Sequence, residues 1–160
     1  MISMWKEIET EKDIEDFLEA SYSMHDSVLV SAGYSTGCGE TDNGMIIACP
    51  GNKYELKLVF DSDWCERIEL LFTGVRHLNM CCFRDNYSND IYGCHLAFHK
   101  ELMGKTRDDR LIVWADNYFS PKIHGTSIDL KESETSFVIA DKMKWRIISK
   151  EEAEICLQKE

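Results

Sequence analysis

Tyr54-Glu55-Leu56-Lys57-Leu58-Val59-Phe60-Asp61 decides the fold, together with the stretch that answers it, Arg67-Ile68-Glu69-Leu70-Leu71-Phe72-Thr73. In the first, Tyr54, Leu56, Leu58 and Phe60 share one face of an extended segment, opposite Glu55, Lys57 and Asp61. In the second, Ile68, Leu70 and Phe72 alternate with Arg67, Glu69 and Thr73. Two period-2 runs joined by the polar break Ser62–Arg67 predict an antiparallel pair with one face in a core. Leu56, Leu58, Phe60, Ile68, Leu70 and Phe72 are the expected core residues, with Trp145 from a later strand.

Upstream, Thr10-Glu11-Lys12-Asp13 resembles a capping box with Asp in place of Glu or Gln. Ile14, Phe17 and Leu18 follow at helical spacing, which predicts a short amphipathic helix from Glu11 to Ser21. Trp5 and Ile8 form an extended lead-in, and Val28–Tyr34 reads as a strand after the helix exit. Gly- and Thr-rich Ser35–Asn43 predicts a loop, and Met45–Cys49 a short apolar strand ended by Pro50-Gly51-Asn52.

Downstream, Gly74 marks a bulge or bend, and the chain continues extended through Val75–Phe83. Arg84–Asp90 has loop composition, and Ile91–His99 alternates again. Lys100–Asp109 is expected as a polar connection, Arg110–Asp116 as a strand and Asn117–Thr126 as a loop. Ser127–Lys131 reads as an edge strand, and Phe137–Ile147 as one bent strand or two short ones. Lys150–Glu160 is expected as one or two turns of helix. With no repeat or linker, residues 1–160 make a single domain. The expected fold is mainly β (α+β): a curved antiparallel sheet or β-sandwich of about seven to eight strands with a short N-terminal helix.

Composition narrows the function classes. Asp and Glu number 29 against 18 Lys and Arg, a net charge of −11, which argues against nucleic-acid binding and suits a basic protein partner. No apolar run nears the roughly 20 residues that span a bilayer, and the N-terminus lacks an export signal. A cytoplasmic protein without membrane contact is expected. The seven cysteines are odd in number and form no C-x-x-C, so no disulfide framework is expected.

His25-Asp26-Ser27 is the most pointed cluster, a His beside an Asp where helix hands over to strand. Such a pair can move protons or hold a metal, but neighbours on a strand point to opposite faces. His95 and His99 share a strand face about 13 Å apart along the chain, too far for one ion unless the strand bends. No nucleophile, metal or cofactor motif emerges, so a non-enzymatic role without cofactor or metal is expected. Trp64, Tyr87 and Tyr118 lie in or beside loops, where aromatic residues serve as interface anchors, and join His25 and Asp26 as candidate binding residues. A hydrolase built round His25 and Asp26, with His95 or His99 recruited, is the enzymatic alternative. A homo-oligomer pairing through its outer sheet face is the structural one.

The helix, Met24-His25-Asp26-Ser27, the following strand and the pair Leu56–Phe60/Ile68–Val75 together resemble the start of a family of small uncharacterised bacterial proteins. Some of its members are grouped with immunity proteins of bacterial toxin systems. The resemblance covers roughly residues 11–83 and implies a protein-binding role with no catalytic residues.

Overall fold

The computed structural model describes residues 3–47, 51–82, 89–102, 105–121 and 135–152. One antiparallel sheet dominates, and its seven strands do not close into a barrel. The expected pair is its middle: β5 (Glu55–Ser62) and β6 (Glu66–Asn79) meet in the register Leu56↔Phe72, Leu58↔Leu70, Phe60↔Ile68. All six of these side chains are buried, as is Trp145. The period-2 pattern therefore assigned the core face correctly.

On one flank, β2 (Ser27–Ser35) pairs with β5 and forms an edge of the sheet. On the other, β6 pairs with the long β9 (Phe137–Ile148). The first part of β9 is bordered by β8 (Lys105–Ala115), which in turn pairs with β7 (His95–Leu102). The later part of β9 is bordered by the lead-in β1 (Lys6–Ile8), whose Lys6 stands opposite Trp145. Phe137–Ala140 are buried in succession because both faces of the sheet are covered there. A two-stranded ribbon, β3 (Gly39–Glu40) with β4 (Ile46–Ile47), stands apart, and Met45, Ile46 and Ile47 remain exposed.

The helix α1 runs from Glu11 to Ala20. Thr10 accepts from the Asp13 amide, and the Asp13 carboxylate accepts from the Thr10 amide at 2.7 Å, so Asp completes the capping box. The Thr10 hydroxyl, which donates to the same carboxylate at 2.7 Å, and the Glu9 and Thr10 amides hold the Asp13 carboxyl below its ordinary range. Ile14 and Phe17 are buried, and Phe17 meets Trp145 edge to face at 5.2 Å, which docks the helix on the sheet.

The opposite face carries a second, smaller core of Leu102, Leu111, Val113, Ala115, Phe119, Phe137 and Ile139. Elsewhere that face is ionic, with Glu69 between Arg146 (2.5 Å) and Lys57 (3.3 Å).

Two expectations need correction. Lys100–Asp109 is no loose connection: β7 continues to Leu102 and β8 begins at Lys105, and Lys100, Glu101, Thr106, Asp108 and Asp109 are exposed at that end of the hairpin. Ile91 makes only an isolated bridge to Ser27, and regular strand starts at His95. Ser127–Lys131, Tyr87 and most of the C-terminal helix expectation lie outside the described residues.

Candidate functional site

The chain leaves α1 through a strained turn. Tyr22, Ser23, Met24 and Asp26 all have positive φ, at 52°, 53°, 58° and 53°. For residues other than glycine each such position costs about 1–3 kcal/mol and persists only when surrounding structure enforces it. The enforcement is visible. Met24 is fully buried and its sulfur accepts the Trp114 indole N–H at 3.3 Å. The Cys94 amide donates to the Ser23 carbonyl at 2.9 Å, and the Asp26 amide to the Ile91 carbonyl at 2.9 Å.

Around this turn three aromatic rings from three segments converge. Tyr22 comes from the turn, Trp64 from the β5–β6 hairpin and Tyr92 from the approach to β7. They are 56%, 55% and 84% exposed, so this is a surface patch rather than a core. Ring centres of Tyr22 and Trp64 lie 5.6 Å apart. His25 sits between the other two, 6.4 Å from Trp64 and 6.2 Å from Tyr92.

Asp26 ties the patch together. Its Oδ2 accepts the Trp64 indole N–H at 2.9 Å and faces His25 Nε2 at 3.5 Å. The His25 Nδ1 lies 2.8 Å from the Tyr92 carbonyl oxygen, so Nδ1–H is the donor there. On a straight strand His25 and Asp26 would point apart; the left-handed Asp26 supplies the local bend that brings them together before β2 begins. Chemically, each polar atom of this network orients a ring.

Of the residues proposed from sequence, His25, Asp26 and Trp64 are thus brought together. Tyr118 is exposed elsewhere, beyond β8, where its carbonyl accepts the Thr135 hydroxyl at 3.4 Å. Tyr22 was missed because it reads as the end of a helix, and the strained turn that exposes it has no glycine to announce it. Tyr92 falls at the start of the alternating run Ile91–His99, which gives no sign of its neighbours.

His95 and His99 do not join His25. They lie on the second-core face of β7, whereas Leu96 and Cys94 pack with the helix-side core. Their Nε2 atoms are nevertheless only 3.1 Å apart, which corrects the expectation drawn from strand spacing. Ala97 lies between them on the same face, and its methyl group leaves the space into which both rings lean. Phe119 covers both, at 5.5 and 5.7 Å between ring centres. Burial lowers the pKa of each imidazole, and for His95 the neighbouring His99 lowers it further.

The five described cysteines, Cys38, Cys65, Cys81, Cys82 and Cys94, are free thiols. Burial pushes the Cys94 thiol up to about 12, which removes it as a nucleophile near neutral pH. A cavity of about 30 Å³, lined by Leu58, Phe60, Ile91 and Trp114 among others, has room for about one water. No helix of the described residues is long and apolar enough to cross a membrane. Comparison with known proteins finds no matching family model, no matching curated protein and no matching solved structure.

Proposed function

We propose that the chain is a non-enzymatic binding protein that engages a basic protein partner through Tyr22, His25, Asp26, Trp64 and Tyr92. The observation behind this reading is the clustering of three exposed rings around the His25–Asp26 pair, with Trp64 bonded to the carboxylate and the whole fixed by a strained turn. Strain retained at a surface patch is a motive for inferring function there. Tyr and Trp are enriched among the residues that dominate binding energy, and ring faces beside a carboxylate suit an Arg or Lys side chain. The net charge of −11 would steer such a partner from a distance. Along α1 runs a groove of about 440 Å³ bordered by the carboxylates Glu7, Asp13, Asp16 and Glu19, with Lys6 and Trp145 beside them. An immunity-type role, as the sequence resemblance implies, would make the partner a cationic toxin protein.

The test is a titration with a dye-labelled arginine-rich peptide, read by fluorescence anisotropy and repeated at rising salt. Trp64→Ala keeps the net charge and should weaken binding about 30-fold or more, the loss of an interface anchor worth about 2 kcal/mol. Asp26→Asn should weaken it less and flatten the salt dependence. Equal affinity of wild type and Trp64→Ala would mean that only diffuse charge is being sensed, and the reading would fall.

A further inference from the structure

Strand β7 presents His95, Ala97 and His99 in alternation on one face, opposite Ala115, Val113 and Leu111 of β8. The two imidazoles close over Ala97 until their Nε2 atoms are 3.1 Å apart while their ring centres stay 5.3 Å apart. The rings therefore converge on their Nε2 edges. A neutral pair held this way contains one donor and one acceptor nitrogen, or two lone pairs turned toward one point.

We propose that His95 and His99 form a chelating site for a borderline divalent transition-metal ion of the Zn²⁺ or Cu²⁺ class, bound through both Nε2 atoms. The spacing fits: with metal–nitrogen bonds of about 2.0–2.1 Å, two ligands stand about 2.9 Å apart at a right angle and about 3.4 Å apart at a tetrahedral one. The observed 3.1 Å lies between these limits. Two imidazoles without a carboxylate favour such ions over Mg²⁺ or Ca²⁺, which prefer oxygen ligands. Phe119 packs on both rings and holds them in place, as apolar neighbours of metal ligands do. Among the described residues no third His, Cys, Asp or Glu is placed to join them, so the two imidazoles are the ligands these residues offer and the remaining positions would fall to solvent. It is independent of the aromatic patch.

Zn²⁺ titrated into the reduced full-length protein, followed through imidazole ¹H–¹⁵N correlations, tests this residue by residue and sets aside any zinc taken up by thiols. The Nε2 signals of His95 and His99 should move together and saturate at one equivalent, while those of His25 stay in place. His95→Ala and His99→Ala should each weaken this binding at least about tenfold, the loss that even an outer-shell partner causes. Unmoved His95 and His99 signals up to millimolar Zn²⁺ would overturn the site and leave a His–His hydrogen bond. The wild-type spectrum decides the matter even if a variant fails to fold.

Discussion

Trp64 donates its indole N–H to the Asp26 carboxylate across 2.9 Å, tying the tip of the central hairpin to the residue where the helix exit becomes β2. The Asp63 amide adds a backbone bond to the Asp26 carbonyl at 3.3 Å. Asp26 therefore has two tasks, accepting the indole and holding φ at 53°. Asn can do both, because it tolerates the left-handed region and keeps a carbonyl oxygen, whereas Ala does neither. Asp26→Ala should cost about 1–2 kcal/mol in urea denaturation, and Asp26→Asn less than about 0.5. Equal losses for the two would show that the hydrogen bond and the backbone conformation carry no weight.

Gly74 is irreplaceable for a reason found across the sheet. Its φ is +68°, and a Cβ there would come within 2.2 Å of Asp141 Oδ2. That carboxylate is not free to swing aside, because Asp141 Oδ1 is held by Arg76 at 2.9 Å. Gly74→Ala should lower stability by about 2 kcal/mol or more, since the strain of the left-handed region and the collision add. Pairing it with Asp141→Ala should recover only the carboxylate part of the collision, because the Asp141 Cβ would still lie 2.8 Å from the new methyl group, a difference measurable as a double-mutant cycle.

Gly74 also shows what the sequence can disclose. A lone glycine inside an alternating run signals a bulge, and β6 does shift register just beyond it, between Val75 and His77. The pair β5–β6 was equally legible because burial on one face imposes a two-residue period. Lys100–Asp109 was not, since its one described core residue, Leu102, stands among exposed polar neighbours and sets no two-residue period. His95 and His99 misled because strand spacing measures distance along the backbone, while small Ala97 lets the two side chains close the gap. The aromatic patch was legible only in parts. Trp64 and His25 stood out singly, but their meeting depends on a left-handed turn and on a hairpin tip far away in sequence.

Glu69 is the buried charge of the sheet's second face. Its side chain is 7% exposed, with Arg146 at 12% and 2.5 Å away. Arg146 also lies over the Trp5 ring at 4.6 Å, so the guanidinium is enclosed on two sides. Glu69→Ala would leave that cation without its carboxylate and should cost about 3–5 kcal/mol in chemical denaturation. Replacing both, Glu69→Leu with Arg146→Met, should restore most of the loss, because a matched apolar pair needs no desolvation of charge. A double variant as unstable as Glu69→Ala would locate the effect in packing instead.

His77 gives the protein an acid-side weakness that can be isolated. Its ring stacks on Phe137 at 5.3 Å, and its buried Nε2 has no hydrogen-bond partner among the described residues. Burial lowers its pKa below the ordinary value, so the folded state resists taking the proton. Above the ordinary histidine pKa of about 6.5, folded and unfolded chains both carry His77 neutral and it contributes no pH dependence. As pH falls through that value the unfolded chain binds the proton first, and stability declines until the folded-state pKa is passed. His77→Phe keeps the stacking partner and removes the titration. Urea midpoints measured from pH 7.5 to 5 should therefore fall less steeply in His77→Phe than in wild type, with the curves parallel above pH 7. Curves that stay parallel down to pH 5 would show that His77 takes its proton as easily in the folded protein as in the unfolded chain.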